Sequence, residues 1–178
     1  MNTRLAAIAA TALASSALVA AGGAAASASR STAATPGRCH TTDLVLHWTG
    51  ANGSGAGHIE IAGVYRNVSH HTCALRGFSG MLLLDRFGRA MPTHVHWGSG
   101  NPVLAEPVKT VVLHPGKRAS FFAGYSDVPV GSQTSCPTST YAYVTPPNAT
   151  LHLLVPLAIN PCGGGRVIVG PVHAGVRH

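Results

Sequence analysis

From residue 38 onward the chain is built of short apolar runs separated by clusters of glycine, proline, asparagine and serine, and helical periodicity is almost absent. Within the runs, apolar and polar residues tend to alternate. In "DLVLHW", residues 43 to 48, Leu44, Leu46 and Trp48 fall on one face of an extended strand. The other runs occupy residues 57–68, 80–97, 109–125, 140–145, 151–159 and 166–172. This pattern predicts an all-β, immunoglobulin-like two-sheet sandwich of about eight or nine strands.

Two of the longer runs predict β-hairpins. The run 80–97 contains the turn sequence Asp85-Arg86-Phe87-Gly88, and the run 109–125 contains His114-Pro115-Gly116-Lys117. Proline followed by glycine suits a tight turn, because proline presets one backbone angle and glycine accepts the angle that follows. In the run 57–68, Gly63 lies at mid-strand and predicts a β-bulge. We therefore expect strand, turn and return strand in both longer runs.

The N-terminal segment has the features of a secretory signal. Arg4 precedes an uncharged run from Leu5 to Ser29, and Ala26-Ser27-Ala28 has the small residues that signal cleavage requires. The sequence predicts a signal peptide over 1–28, a flexible leader over 29–37 and one β-sandwich domain over 38–178. We expect a secreted, extracellular protein without stable membrane insertion after removal of the signal.

The exported part is basic. The chain has 12 Lys and Arg residues against 5 Asp and Glu residues, a net charge of +7, and loss of Arg4 with the signal lowers it to +6. The charges are scattered, and Lys117-Arg118 is the one adjacent basic pair of the exported part. Scattered positive charge predicts weak, salt-sensitive attraction to anionic polymers. Nucleic acid is not expected as a partner, because no basic run is interleaved with aromatic residues.

Four cysteines lie in the exported part, at Cys39, Cys73, Cys136 and Cys162. In an oxidising compartment an even number predicts two disulfides, for which three pairings are possible. We favour Cys39 with Cys73 and Cys136 with Cys162, because each pairing closes a local segment that the strand order folds back on itself. On the chain-entropy model each bridge contributes roughly 3.5 to 4 kcal/mol.

Residues 55–91, "GAGHIEIAGVYRNVSHHTCALRGFSGMLLLDRFGRAM", resemble the actinobacterial family called domain of unknown function 4232. The matching positions are Asn67, Ser69, Cys73, Leu75, Gly77, Phe78, the run 82–84, Asp85 and Gly88. The later "VVLHPGKRASF" is similar to the family's strand, Pro-Gly turn and alanine-bearing strand, and Cys136 and Cys162 match its second cysteine pair. The resemblance implies an exported sandwich domain, and it supplies no reaction and no catalytic residues.

One position departs from the family pattern. Ser79 stands where family members commonly have proline after the aromatic residue. The turn geometry before the strand at residue 81 is therefore not carried over from the family.

Catalytic patterns are weak in this chain. "GFSGM", residues 77 to 81, comes nearest to the serine-hydrolase elbow, but it ends in Met81 and lies between strands. A glycosidase pair would have to come from five scattered carboxylates, at Asp43, Glu60, Asp85, Glu106 and Asp127. We therefore expect a protein that is not an enzyme and uses no cofactor.

His94 and His96, in "MPTHVHWGSG", are the candidate metal ligands. On a strand they share a face at about 6.6 to 6.8 Å spacing, and Val95 and Trp97 take the other face. Two imidazoles so placed can bind one ion if a third ligand joins them. The candidates for that ligand are His47, His58, His114, His152 and, in the loop before Cys73, His70 and His71. The alternative is an ordinary polar strand face.

The residue pattern leaves three hypotheses. The first is a non-catalytic exported domain that binds a cell-surface or cell-wall component, either an anionic wall polymer or a surface protein. The second is a histidine-based metal-binding protein centred on His94 and His96. The third is a structural domain without a ligand. The glycosylation patterns at Asn67 and Asn148 are interpreted as chance in a chain of this Ala- and Gly-rich, actinobacterial-like composition.

Overall fold

The computed structural model describes residues 36–55, 57–98 and 106–176, with only the backbone of residues 51–54. The predicted signal peptide and most of the predicted leader therefore lie outside the described residues, as do the two C-terminal residues. Within the described ranges, no helix has the length and apolarity needed to cross a bilayer.

The described part of the chain contains strands and one short 3-10 turn, Thr41–Asp43. The strands are β1 (Leu44–Gly55), β2 (His58–Asn67), β3 (Cys73–Arg76), β4 (Gly80–Leu84), β5 (His94–Trp97), β6 (Thr110–Leu113), β7 (Arg118–Ser126), β8 (Tyr141–Thr145), β9 (Leu153–Pro156), β10 (Arg166–Val169) and β11 (His173–Ala174). The all-β prediction is confirmed, although the described strands outnumber the predicted eight or nine. The additional strands are β3 and β11, two short strands that lie outside the predicted runs.

The strands form three sheets around one core. The largest has the order β1-β2-β7-β10-β5, with β11 also paired to β7; the others are β3-β6 and β4-β8-β9. All three sheets contribute buried side chains to one apolar cluster, for example Phe121 from β7, Leu75 from β3 and Val144 from β8. The large sheet therefore lies against the two smaller ones in a sandwich-like arrangement, as the sequence predicts.

The run 80–97 makes the predicted turn but not the predicted hairpin. Asp85 accepts hydrogen bonds from the backbone N–H groups of Phe87 (2.8 Å) and Arg89 (2.9 Å) and pairs with the Arg89 side chain. These contacts, led by the Arg89 N–H, lower the pKa of Asp85. After one bridge between Leu84 and Ala90, the chain leaves β4.

The Thr93 side chain interrupts the pairing, because its hydroxyl donates to the Met91 carbonyl at 2.9 Å and stands between two backbone groups that an antiparallel ladder would bond directly. The N–H of Leu83 donates instead to the Thr93 hydroxyl, at 3.0 Å. β5 then pairs in parallel with β10, and β4 pairs with β8. The prediction that residues 94–97 return along β4 is therefore wrong.

The run 109–125 also turns where predicted and then changes sheets. Lys117 N–H donates to His114 C=O at 3.0 Å, and Gly116 has a φ of +76°, which glycine adopts without strain. β6 pairs with β3, whereas β7 pairs with β2, β10 and β11. The tight turn is confirmed, and the predicted hairpin is wrong because the turn connects two different sheets.

Gly63 is needed for packing rather than for a bulge. It pairs in register with Trp48 on β1 and Phe121 on β7, and the register irregularities of this pair of strands lie beyond Thr49. A Cβ atom on Gly63 would lie 2.6 Å from the Phe121 ring and 3.0 Å from the Trp48 ring. The predicted bulge is therefore wrong, and close approach of two aromatic rings explains the glycine.

Ser79, the departure from the family pattern, is fully buried and has a defined partner. Its hydroxyl lies 2.8 Å from the hydroxyl of Tyr65, which is also fully buried. Burial raises the pKa of Tyr65. The Ser79 carbonyl accepts a hydrogen bond from the Trp97 indole N–H at 3.3 Å. A proline at this position would lack the hydroxyl and leave the Tyr65 phenol without this partner in the core.

Both disulfides are formed, between Cys39 and Cys73 and between Cys136 and Cys162. The Cα–Cα distances, 4.8 and 5.1 Å, lie in the usual disulfide range. The first joins the segment before the 3-10 turn to β3, and the second joins the loop before β8 to the segment before β10. These are the pairings that the strand order favours.

Candidate functional site

The two histidines singled out by sequence lie on β5, an outer strand of the large sheet. Both are exposed, while Val95 is partly buried against the core. In the parallel register His94 lies beside Arg166 and His96 beside Ile168. A guanidinium next to His94 disfavours a second cation there, because like charges repel at this spacing.

The other candidate ligands have separate surroundings in the described part of the chain. His152 packs on the Tyr143 ring in the three-stranded sheet, with the ring centres 3.9 Å apart. His114 contacts the Thr72 hydroxyl at 3.0 Å, and His71 lies 3.3 Å from the Asp43 carboxylate. Across the described ranges, no three His, Cys, Asp or Glu side chains are grouped so that they could hold a metal ion.

A buried polar scaffold lies at another place, where β2 ends. Asn67 has no exposed surface, and its amide donates to the carbonyls of His71 (2.8 Å) and Leu113 (2.9 Å). Its side-chain oxygen accepts from the backbone N–H and the hydroxyl of Ser69. The Asn67 side chain therefore ties the loop 68–72 to the end of β6. Because the amide is fully buried, it is also inaccessible to glycosylation.

The main chain of Asn67 holds the neighbouring turn. Its N–H donates to Lys117 C=O at 3.0 Å, and its C=O accepts from Gly116 N–H at 2.8 Å. Asp43, also buried, fixes the other side of the loop: its carboxylate accepts from His40 N–H, and its carbonyl accepts from Val68 N–H at 2.7 Å. Three separate chain segments are thus fixed relative to one another by buried hydrogen bonds.

The exterior of this region carries positive charge. Arg66 and Arg118 are direct partners across β2 and β7, so they lie on the same face of the sheet, and both are exposed. Within the described residues neither guanidinium has a hydrogen-bond or ion-pair partner. Like charges directly opposite each other on a sheet are destabilising. An anion bound between the two guanidiniums removes that repulsion and can accept bidentate hydrogen bonds from both.

We call this region the basic end. It comprises Arg66, His70, His71, His114, Lys117 and Arg118. The Asp43 carboxylate contacts the basic end through the His71 ring, at 3.3 Å. The same carboxylate oxygen already accepts a hydrogen bond from His40 N–H. The positive charge of Arg66, Lys117 and Arg118 is therefore not neutralised by the described carboxylates. Such a surface attracts anions, and it offers guanidinium, ammonium and imidazole donors to bind them.

Sequence reasoning did not find the Arg66–Arg118 pair. Arg66 lies in the second strand and Arg118 in the seventh, and only the β2–β7 register brings them together. Lys117-Arg118 was visible as a basic pair, but its position opposite Arg66 depends on pairing between distant segments. No local pattern in the sequence carries that information.

Comparison with known proteins identifies a family but no function. No curated protein and no solved structure matches the chain. The model of one family, described as a domain of unknown function (DUF4232), matches residues 39–173 and so covers both disulfides and β1–β10. The chain belongs to the DUF4232 family.

Proposed function

We propose that this protein is an exported, non-catalytic β-sandwich that binds an anionic polymer of the cell surface or cell wall at its basic end. The observation that carries the proposal is the Arg66–Arg118 pair, two adjacent exposed guanidiniums without partners in the described residues. The net charge of +6 that remains after loss of Arg4 acts in the same direction over a longer range. Export rests on the signal-like N-terminus together with two disulfides, which persist in oxidising compartments.

The form of the site favours a polymer over a small substrate. Arg66 and Arg118 are both exposed at paired strand positions, and the exposed Lys117 extends the positive surface into the adjacent turn. A charged surface of this kind binds repeated anionic groups through many weak contacts, each of them screened by salt. Retention should therefore depend strongly on ionic strength.

Sedimentation with isolated bacterial cell walls tests the proposal. The purified mature chain should be retained at low salt and released at high salt. Arg66→Gln/Arg118→Gln should weaken retention by roughly tenfold or more, since a hydrogen bond to a charged group contributes about 1.5 to 3 kcal/mol. Lys109→Gln/Arg166→Gln is the matched control, because it removes the same charge at exposed positions outside the basic end.

Two results would overturn the proposal. The wild-type chain could fail to sediment with the walls at low salt, which would exclude electrostatic wall binding. The control pair could lose as much retention as the Arg66/Arg118 pair, which would show that only net charge matters and that the basic end is not the site.

A further inference from the structure

A pocket of about 140 Å³ lies beside the 3-10 turn. One wall is the segment 38–42 and the other is the segment 149–151, which precedes β9. The polar side chains that line it belong to Arg38, His40, Thr41, Thr42 and Thr150. Arg38 gives this lining a positive charge, the threonine hydroxyls add hydrogen-bond donors, and no carboxylate is among the lining residues.

Several of these donors are uncommitted. The Arg38 Nη1 atom donates to the Asn148 carbonyl at 2.8 Å, which anchors the guanidinium; in the described part of the chain, Nε and Nη2 have no partner. The Thr42 and Thr150 hydroxyls likewise have no hydrogen bond to described residues. Asp43, the nearest carboxylate in sequence, is occupied with His40 N–H and His71 and is not part of the lining.

The two walls are fixed relative to each other before any ligand arrives. Cys39 is held by its disulfide to Cys73 and by its N–H to Ala74 C=O at 2.9 Å. The Thr41 hydroxyl crosses to Leu151 C=O at 3.0 Å. On the opposite wall, the Asn148 amide donates to Arg76 C=O at 2.9 Å. A ligand group therefore enters a preformed site and orders little of the chain on binding.

We infer that this pocket binds one tetrahedral oxyanion, a phosphoryl or sulfate group. Uncommitted donors stand on both walls, which suits oxygens pointing in several directions better than a planar carboxylate. The volume is well below the 300 to 1,000 Å³ typical of sites for whole small molecules, and it suits a single group. The inference rests on the proposed function to this extent: the group would be a phosphate or sulfate of the surface polymer that the basic end attracts.

The test is a titration of the isotope-labelled mature chain with sodium phosphate at constant ionic strength, followed by NMR. Saturable shifts should appear at residues 38–42 and 149–151. Arg38→Lys, which keeps the charge, and Thr150→Val, which keeps the shape, should each weaken binding by about fivefold, the change equal to about 1 kcal/mol for one lost hydrogen bond. Arg166→Lys and Thr134→Val are the matched controls and should leave the affinity unchanged.

Further titrations separate the sources of the group. Dimethyl phosphate represents the phosphodiester of a polymer, sulfate represents a sulfated one, and sodium acetate and sodium chloride report planar and monatomic anions. Saturation by phosphate, dimethyl phosphate or sulfate, with acetate and chloride much weaker, supports the inference. Equal shifts with chloride, or phosphate binding that neither variant at the pocket weakens, would overturn it.

The two proposals fail separately. Wall retention without phosphate binding in the pocket would reject the pocket and leave the basic end as the site. Saturable phosphate binding without wall retention would reject the proposed function and leave the pocket as a site for a small oxyanion.

Discussion

Two regions of this protein carry histidines next to arginines, and the structure gives them different surroundings. On β5, His94 and His96 project from one strand, and their nearest sheet neighbours are Arg166 and Ile168. At the basic end, side chains from the end of β2, the loop 68–72 and the turn 114–117 meet over a buried polar scaffold. The difference teaches that correct spacing on one strand does not bring its side chains to other groups. At the basic end, buried hydrogen bonds hold separate segments of the chain together.

The scaffold also explains how a loop and a turn can present charge in a fixed arrangement. Asn67 makes four side-chain and two main-chain hydrogen bonds with the loop 68–72, the end of β6 and the adjoining turn. At β5 the described histidine side chains have no comparable contacts. Substitutions in the two regions should therefore differ in their effect on both stability and binding.

The largest effect should come from the disulfides. Cys39–Cys73 lies next to the loop 68–72 of the basic end, and Cys136–Cys162 lies before β10, the strand that pairs with β5. Cys39→Ala/Cys73→Ala and Cys136→Ala/Cys162→Ala should each lower the free energy of unfolding by about 3.5 kcal/mol, measured by denaturant titration. The first bridge joins β3, which follows the loop 68–72 of the basic end, to the pocket wall at residues 38–42. Only its removal should therefore reduce wall retention under conditions where the variant stays folded. Equal loss of retention in both variants would break the distinction between the regions.

Asn67→Ala should follow, with a loss of about 3 kcal/mol in the free energy of unfolding. The substitution removes four side-chain hydrogen bonds and leaves the buried Leu113 carbonyl without this donor, and buried groups that lose a partner are costly. His96→Ala is the control from the exposed face of β5 and should change stability by less than about 0.5 kcal/mol. A cost below about 1 kcal/mol for Asn67→Ala would show that the scaffold does not hold the basic end.

The contact between Tyr65 and Ser79 should have a smaller effect. Tyr65→Phe should cost about 1 to 2 kcal/mol by leaving the buried Ser79 hydroxyl unpaired, and Tyr65→Phe/Ser79→Ala should cost less than the sum of the single changes. The raised pKa of Tyr65 adds a pH test. The contribution of the protonated Tyr65 phenol to stability is complete below the unfolded-state pKa of 10 and decreases as the pH rises above that value. The free energy of unfolding of Tyr65→Phe should therefore decrease less steeply than that of the wild type as the pH rises through the alkaline range. An equal decrease in both proteins would contradict a raised pKa for Tyr65.

The smallest effect should come from His94→Ala/His96→Ala. Both side chains are exposed, so stability should change by less than about 0.5 kcal/mol. Titration of the tag-free chain with copper(II) or zinc should give the same affinity before and after the change. A drop of about tenfold or more in metal affinity would restore the metal hypothesis and remove the contrast between β5 and the basic end.

Several features of the fold could be predicted from local pattern. The period-two alternation at Leu44, Leu46 and Trp48 matches the structure, in which these side chains face the core while Val45 and His47 are exposed. The turns at Asp85 and at Pro115-Gly116 also lie where predicted, because turn chemistry depends on a few adjacent residues. Strand pairing does not depend on adjacent residues alone. Both predicted hairpins were wrong for that reason, although the strands themselves were placed correctly.

The sequence by itself determined the all-β class, the faces of several strands, the tight turns, the cysteine inventory and the basic charge. These properties follow from residue type and from periods of two to four residues. The tertiary structure alone decided that β5 joins β10, that Arg66 faces Arg118, that Asn67 is a buried hub and that the segments 38–42 and 149–151 enclose a pocket. The physical reason is that these arrangements depend on contacts between residues far apart in the chain. Such contacts are selected by the packing of the whole core, and local alternation carries no record of them.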